Sequence, residues 1–169
     1  MRDLDTGTDI LLLSDTFQND KQVYNFAAGD GGNLQFDNTN VVHVTSKKKY
    51  GGTAMRFAGN GFLKQRSTTN PEILARFNLF NALHTSFLID FWYYFTTSGN
   101  NETIINFWES ASKYWELCKN TSDQMVFDTG GSSPVVSNQT MSPNTWNHCA
   151  FLLGAGAFGH YLGGLQSAY

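Results

Sequence analysis

Charged residues are scarce in this chain: Asp, Glu, Lys and Arg make up 15% of its 169 residues, against roughly 25% in an average soluble domain. The net charge is −3. Lys47–Lys49 is the only charge run, and it fits a solvated turn better than a phosphate site. Because nucleic-acid-binding domains normally carry a basic face, we expect no nucleic acid among the partners.

Long hydrophobic runs are also missing. The apolar segment Ile10–Leu13 is far shorter than the roughly 20 residues that a membrane-spanning helix needs. No apolar stretch follows a basic start after Met1, so no secretory signal is expected. We therefore expect synthesis in the cytoplasm of the producing cell, without membrane insertion.

Cysteine is limited to Cys118 and Cys149, which fit no metal-binding spacing. We expect two separate buried thiols rather than a disulfide. The sequence contains no nucleophile elbow, phosphate-binding loop, zinc-protease motif or dinucleotide-binding fingerprint. The histidines are scattered singly, at His43, His84, His148 and His160. No motif therefore points to an enzyme.

Aromatic residues, by contrast, are plentiful at 15%, and glycine, with 16 residues, far outnumbers proline, with 3. Strand-forming residues separated by glycine turns are typical of all-β proteins. The clearest strand is Ser86–Phe95, which is rich in aromatic rings and contains one charge. About a dozen short strands are predicted along the chain, which favours a β-sandwich or barrel.

Alternation along this strand divides its side chains into two sets. The first set is apolar and is predicted to face a core: Phe87, Ile89, Phe91 and Tyr93. The second set is predicted to face a wetter, aromatic-lined surface: Leu88, Asp90, Trp92 and Tyr94. The candidate ligand-binding residues are therefore Trp92, Tyr94 and Asp90. A buried strand without a binding role explains the same pattern.

Four further predictions concern local structure. Met1–Asp9 is polar and is predicted as an N-terminal arm, and residues 10–169 as one domain. Gly59–Gly61 is predicted as a hairpin turn, because Asn-Gly tolerates positive φ. Ser67–Thr85 is predicted as a short helix or a packed loop.

Calcium sites need clustered oxygen ligands, and the best local cluster is Asp37, Asn38 and Asn40. These three residues are the candidate metal ligands. A plain Asx-rich turn between two strands is the competing interpretation.

Three segments resemble the laminin-G-like, concanavalin A-like family of domains. Lys49–Gly59 is similar to its G-x-(A/S)-hydrophobic-x-F-x-G strand, Ser86–Trp92 to its F-T-I-E-F-W strand, and Asn144–Ala150 to its T-W-H-H-V-A strand. The order and approximate spacing of the three also agree. The opening Ile10–Asp15 resembles the L-L-L-H-F-D start of versions carried by phage structural proteins. The resemblance covers roughly residues 10–164.

The resemblance implies an antiparallel two-sheet jelly-roll sandwich with a concave face. Members of the family bind carbohydrate or proteins, often with calcium, and some are glycosidases. In the family pattern the motif residues pack between the sheets, and here they are Phe57, Phe87, Ile89, Phe91, Trp146 and Ala150. His148 falls on a motif position and is expected to be a structural hydrogen-bonding residue. The match supports a fold better than a function.

The chain departs from the family in two ways. The hydrolase branch carries two catalytic carboxylates in an E-x-D-x-x-E motif, and no acid here stands in that spacing. Glu109 and Glu116 could face each other across a hairpin, but chance proximity explains that better. Family members also continue past the strand that corresponds to Tyr161–Gly164. The chain is then a fragment, or its sandwich is incomplete at the C-terminus, or a partner supplies the missing edge.

The leading hypothesis is a virion structural, decoration or fibre protein with a lectin-like jelly-roll domain. Its expected partners are other virion structural proteins, copies of itself, and a cell-surface glycan; its expected location is the virion. No catalytic residue and no cofactor are predicted, and calcium at Asp37, Asn38 and Asn40 stays open. Two alternatives remain open: a purely structural assembly subunit without glycan binding, and a glycoside hydrolase of the same fold.

Overall fold

The computed structural model describes residues 12–13, 22–25, 33–49, 52–65, 87–111, 113–130, 133–154 and 157–168. Contacts divide the chain into two compact units, Met1–Pro71 and Glu72–Tyr169. In the described residues the secondary structure consists of strands, and every pairing is antiparallel, so the all-β prediction is confirmed. The predicted arm and the predicted helix or loop over Ser67–Thr85 lie outside the described residues.

The first unit contains one antiparallel sheet with the strand order β1-β2-β3-β4. Its strands are β1 (Leu12–Leu13), β2 (Gln22–Asn25), β3 (Asn33–Val44) and β4 (Ala54–Gln65). The connection between β3 and β4 contains Lys47–Lys49, which are exposed as a solvated turn requires.

The hairpin predicted at Gly59–Gly61 is wrong, because strand β4 runs through it. Val41 pairs with Phe57 and Thr39 pairs with Phe62, so Asn40 alone faces the four-residue segment Ala58–Gly61 in a large bulge. Asn40 has a φ of 54° and Gly59 a φ of 57°. Both residue types tolerate this left-handed conformation. Neither Asn60 nor Gly61 has a positive φ, so the Asn-Gly pair does not adopt the conformation that a tight hairpin turn requires. Phe57, predicted as core, is 51% exposed beside it.

The second unit contains two four-stranded sheets. The first has the order β12-β11-β10-β5 and the second the order β6-β7-β8-β9. The strands are β5 (Phe87–Tyr94), β6 (Glu102–Ser110), β7 (Lys113–Lys119), β8 (Gln124–Thr129), β9 (Val135–Thr140), β10 (Trp146–Gly154), β11 (Ala157–Leu162) and β12 (Leu165–Ala168).

The two sheets of the second unit face each other across an aromatic core. The ring of Phe127, from β8, lies 5.9 Å from that of Phe151 on β10 and 4.9 Å from that of Phe158 on β11. Burial of each such side chain contributes roughly 1.5–3 kcal/mol. The predicted core face of β5 is confirmed, since these residues pack against the cluster: Phe87, Ile89, Phe91 and Tyr93.

The predicted core positions on β10 are wrong by one residue. Cys149 and Phe151 are fully buried, whereas Trp146 and Ala150 pair with Tyr94 and Asp90 on the opposite face. Side chains directly across an antiparallel ladder share a face, and a shift of one residue exchanges the faces. Both alternating sets of this strand contain apolar residues, so the motif could not fix which set is buried.

The two cysteines are separate thiols, as predicted. The Cys149 Sγ atom lies in the core, 3.9 Å from the Met141 sulfur, and burial raises the pKa of the Cys149 thiol to about 12. Cys118 is half-buried on β7, and burial raises the pKa of its thiol to about 11. Both thiols are therefore protonated at neutral pH.

Candidate functional site

The three predicted ligand-binding residues lie on one face of strand β5, pointing away from the core. Asp90 is opposite Ala150 on β10, Trp92 is opposite His148, and Tyr94 is opposite Trp146. The side chain of Asp90 is 52% exposed. The structure thus brings the candidates together on a common surface and adds two residues from the neighbouring strand.

His148 lies at the centre of this surface. Its Nε2 atom is 2.7 Å from Asp90 Oδ1, within hydrogen-bond distance of the carboxylate. Its ring stacks on that of Trp92, with centroids 4.8 Å apart and planes 27° apart. The expected hydrogen-bonding role of His148 is confirmed, and its partner is a candidate ligand-binding residue.

A second aromatic contact extends the surface towards the end of the strands. The rings of Tyr94 and Trp146 meet edge to face, with centroids 5.5 Å apart. Next to Trp146, the Asn147 amide donates hydrogen bonds to the carbonyls of Ser142 and Thr145, which ties the preceding turn to β10. The edge-to-face contact packs the Tyr94 and Trp146 rings against each other on this surface.

Strand β11 contributes Tyr161, which pairs with Ala150 and so shares this face. A Cβ atom at Gly159 would lie 2.9 Å from the Tyr161 ring, so the ring occupies the space that a side chain at position 159 would fill. We name the surface formed by Asp90, Trp92, Tyr94, Trp146, His148 and Tyr161 the mixed face. It offers flat rings, hydroxyl groups, an imidazole and a carboxylate.

The other sheet of the second unit presents a different surface on its outer side. Trp108 on β6 is opposite Tyr114 on β7, and their rings stack with centroids 5.0 Å and planes 20° apart. Trp108 is 63% exposed, the largest exposure of any aromatic residue in the described part of the chain. A Cβ atom at Gly130 would lie 2.7 Å from the Tyr114 ring, so glycine is required for this ring position.

Two carboxylates adjoin this aromatic pair. Glu116 on β7 is directly opposite Asp128 on β8. Thr103 donates a hydrogen bond to Glu116 Oε1 and Tyr114 donates one to Asp128 Oδ2, at 2.5 and 3.1 Å. The bond to Asp128, followed by burial, raises the pKa of Tyr114. We name the surface formed by Trp108, Tyr114, Glu116 and Asp128 the carboxylate face.

Glu109 and Glu116 do not lie opposite each other across the hairpin. The register places Asn106 opposite Glu116 on β6, and Glu109 falls at a register shift between Trp108 and Ser110. A sequence cannot show that Asp128 is the neighbour of Glu116, because the β7–β8 register decides it.

The turn that would hold the candidate calcium ligands is also absent, because Asp37, Asn38 and Asn40 lie within strand β3. Asn40 occupies the bulge position and is exposed. The side chains of Asp37 and Asn38 lie outside the described residues, so this site stays a prediction. Among the side chains that are described, no three His, Cys, Asp or Glu residues are grouped as a metal ion requires.

At one end of the sandwich, the cationic side chain of Lys119 is buried among oxygen atoms. It donates to the Asn100 carbonyl at 2.6 Å and to Asp123 Oδ1 at 3.0 Å, and it lies 3.7 Å from Glu102 Oε1. A hydrogen bond from Ser98 and the one from Lys119 lower the pKa of Asp123. The positive charge of Lys119 therefore balances the negative charge of the Asp123 and Glu102 carboxylates.

Comparison with protein-family models, with curated proteins and with solved structures finds no match for this chain. In the part of the chain that the structure describes, no helix is long and apolar enough to cross a membrane. Function must therefore be argued from the two outer faces themselves.

Proposed function

We propose that the second unit is a lectin-like binding domain and that the mixed face is its carbohydrate-binding surface. The observation that carries the proposal is the joining of Trp92, His148 and Asp90 by a stack and a 2.7 Å hydrogen bond on the side of the sheet opposite the core. Packing of the core does not require a stacked and hydrogen-bonded histidine on the outer side of the sheet.

The chemistry of the mixed face suits a sugar. The apolar faces of sugar rings pack on aromatic side chains, while sugar hydroxyl groups both donate and accept hydrogen bonds. Asp90 accepts, the Tyr161 hydroxyl group can do both, and His148 presents a second ring nitrogen. A binding site built from flat rings and a few fixed polar groups provides area and orientation together.

The finer fold assignment and the biological setting are also proposals. Two antiparallel four-stranded sheets around one core are compatible with the jelly roll that the family resemblance implies. The role as a virion structural, decoration or fibre protein rests on that resemblance alone. Mass spectrometry of purified virus particles from the source of the sequence would test it, with absence of the chain as the contrary result.

Self-association or docking on another structural protein belongs to the same proposal. Strand β12 ends the β12-β11-β10-β5 sheet, and its Leu165 is 65% exposed. An edge strand offers backbone groups for strand addition by a partner. Light scattering on the purified chain tests this, and a monomer at high concentration would contradict it.

We propose no enzymatic activity. Glu116 and Asp128 are adjacent, yet they lie on the carboxylate face, and the mixed face contributes one carboxylate, Asp90. Glycoside hydrolysis needs an acid and a second carboxylate positioned on the two sides of one glycosidic bond. Turnover of laminarin, agarose or carrageenan that disappears in Glu116→Gln would overturn this proposal.

A glycan array with matched variants tests the binding proposal. Wild-type protein should bind a discrete set of glycans, and Trp92→Leu and Asp90→Asn should each lose that set. Trp108→Leu, which removes a ring of the same type from the carboxylate face, should retain it. Thermal melts of all variants show whether a loss reflects unfolding.

Two results would contradict the proposal in different ways. An array without any bound glycan would leave the purely structural alternative. Loss of binding in Trp108→Leu, with binding intact in Asp90→Asn, would move the sugar site to the other sheet.

A further inference from the structure

We propose that the carboxylate face binds an arginine side chain of a partner protein. This site is separate from the mixed face and does not depend on the proposed glycan binding. The structural basis is the exposed ring of Trp108, stacked on Tyr114, beside the cross-strand carboxylates of Glu116 and Asp128.

The polar groups of this face determine the chemistry of the ligand. At neutral pH an ionised carboxylate only accepts hydrogen bonds. Thr103 and Tyr114 each satisfy one carboxylate oxygen and leave further acceptor positions on Glu116 and Asp128. The two carboxylates offer acceptors alone, and they fit a ligand group that offers donors alone. A guanidinium group has five N–H donors and no acceptor, whereas a sugar hydroxyl would leave its acceptor unused.

The aromatic pair selects arginine over other cations. A guanidinium is planar and weakly hydrated, so it can stack on an indole face and direct its N–H groups at a neighbouring carboxylate. Tyr114 is fixed by its bond to Asp128 and by the space at Gly130, which holds the ring under Trp108. A lysine ammonium group would be attracted by the two carboxylates, but it has no planar surface that could stack on the indole ring.

The two opposed carboxylates also carry an electrostatic cost that a bound cation would relieve. Like charges directly opposite each other on neighbouring strands destabilise a sheet. Glu116 and Asp128 are in this arrangement on β7 and β8. A cation between them replaces repulsion with two attractions, so occupancy should stabilise the folded chain in proportion to ligand concentration.

The test uses three short peptides that are identical except at two positions, which hold arginine, lysine or citrulline. Binding is followed by tryptophan fluorescence and by melting temperature at low salt. The arginine peptide should bind and raise the melting temperature. The lysine peptide should bind at least fivefold more weakly, and the citrulline peptide, which keeps the shape and lacks the charge, should not bind.

Variants then locate the site. Trp108→Leu and Glu116→Gln should each weaken binding of the arginine peptide at least fivefold, while Asp90→Asn, which removes an acid from the mixed face, should leave it unchanged. Equal binding of the lysine and arginine peptides would overturn the stacking argument. No binding, or equal loss in Asp90→Asn, would overturn the site. Glycans that wild type binds and Glu116→Gln does not would show that this face takes sugar instead.

Discussion

The two sheets of the second unit enclose one core, yet their outer faces present different chemistry. On the mixed face, the carboxylate of Asp90 is hydrogen-bonded to the His148 imidazole, which stacks on the Trp92 ring. On the carboxylate face, two acids stand opposite each other, and their hydrogen bonds come from hydroxyl groups. The first arrangement balances donors and acceptors, whereas the second accumulates acceptors. The difference teaches that exposed aromatic rings alone do not characterise a surface, because the neighbouring polar groups determine whether it offers hydrogen-bond donors, acceptors or both.

The comparison assumes that the faces have been assigned to the correct sides of β10, and core truncation tests that assumption with the largest expected effect. Phe151 is fully buried against Phe127, so Phe151→Ala should lower the free energy of unfolding by about 3–5 kcal/mol. Trp146→Ala, on the mixed face, should cost on the order of 1–2 kcal/mol. Urea denaturation measures both values. A larger loss of stability for Trp146→Ala than for Phe151→Ala would mean that Trp146, rather than Phe151, lies on the core side of β10.

The two histidines of this sheet provide a sharper test, through pH. His160 lies in the core, stacked on Phe151, and neither ring nitrogen has a hydrogen-bond partner among the described residues. Burial lowers the pKa of His160 from 6.5 to about 4. Below pH 6.5 the His160 imidazole therefore binds a proton in the unfolded chain, while it stays neutral in the folded chain. Stability from this group is fully present above pH 6.5 and is lost as the pH falls to 4.

At 1.36 kcal/mol per pH unit, this loss amounts to about 3 kcal/mol. Denaturation between pH 7 and pH 4 measures it, and His160→Phe should remove that part of the pH dependence. His148→Gln is the matched control, because it changes a histidine on the mixed face and leaves the core histidine in place. An unchanged pH dependence in His160→Phe would mean that position 160 is accessible to protons in the folded state.

Each face has one tyrosine that lies over a glycine, and the two positions should differ in how much they tolerate. Gly130→Ala would place a Cβ atom 2.7 Å from the Tyr114 ring and 3.0 Å from the Ala111 carbonyl oxygen. Because backbone cannot move aside as a side chain can, we expect a loss of roughly 1–3 kcal/mol. The three atoms nearest to a Cβ atom at Gly159 all belong to the Tyr161 side chain, which can rotate. The melting temperature of Gly159→Ala should stay near that of wild type; equal losses would contradict the distinction.

The smallest expected effects have opposite signs on the two faces. Glu116→Gln removes a repulsion with Asp128 and should stabilise the chain by roughly 0.2–1 kcal/mol. Asp90→Asn weakens a charge-assisted bond to His148 and should destabilise it by about 0.5–1 kcal/mol. Melts at low and at high salt measure both, and salt should shrink each change. Changes of the same sign would remove the electrostatic contrast between the faces.

The sequence predicts the strand-level organisation of the second unit well, because composition and alternation are local properties. The alternation of β5 correctly separates Phe87, Ile89 and Phe91 from Asp90, Trp92 and Tyr94. It fails on β10, where Trp146 and Phe151 are equally plausible core residues by pattern alone. The deciding contacts are made with Tyr94 on β5 and with Phe127 on the other sheet, which lie far away in the sequence.

The candidate site shows the same limit. Three of the residues on the mixed face could be predicted because they belong to one strand. Glu116 and Asp128 could not be predicted as neighbours, since their proximity depends on the β7–β8 register. The bulge at Asn40 shows a related failure, because its left-handed residues, Asn40 and Gly59, lie on different strands, and only the strand pairing decides whether the chain reverses.

The labelling rates of the two free thiols report on different parts of the sandwich. Cys149 belongs to the sheet of the mixed face and Cys118 to the sheet of the carboxylate face. Cys149 is buried in the core, so its labelling rate reports the opening of the sandwich. Cys118 is half-buried on the same side of β7 as Glu116, so its labelling rate reports access to the carboxylate face. Mass spectrometry can resolve the two sites in one sample. A ligand on either face should then slow one rate more than the other, which would identify the occupied sheet without any substitution.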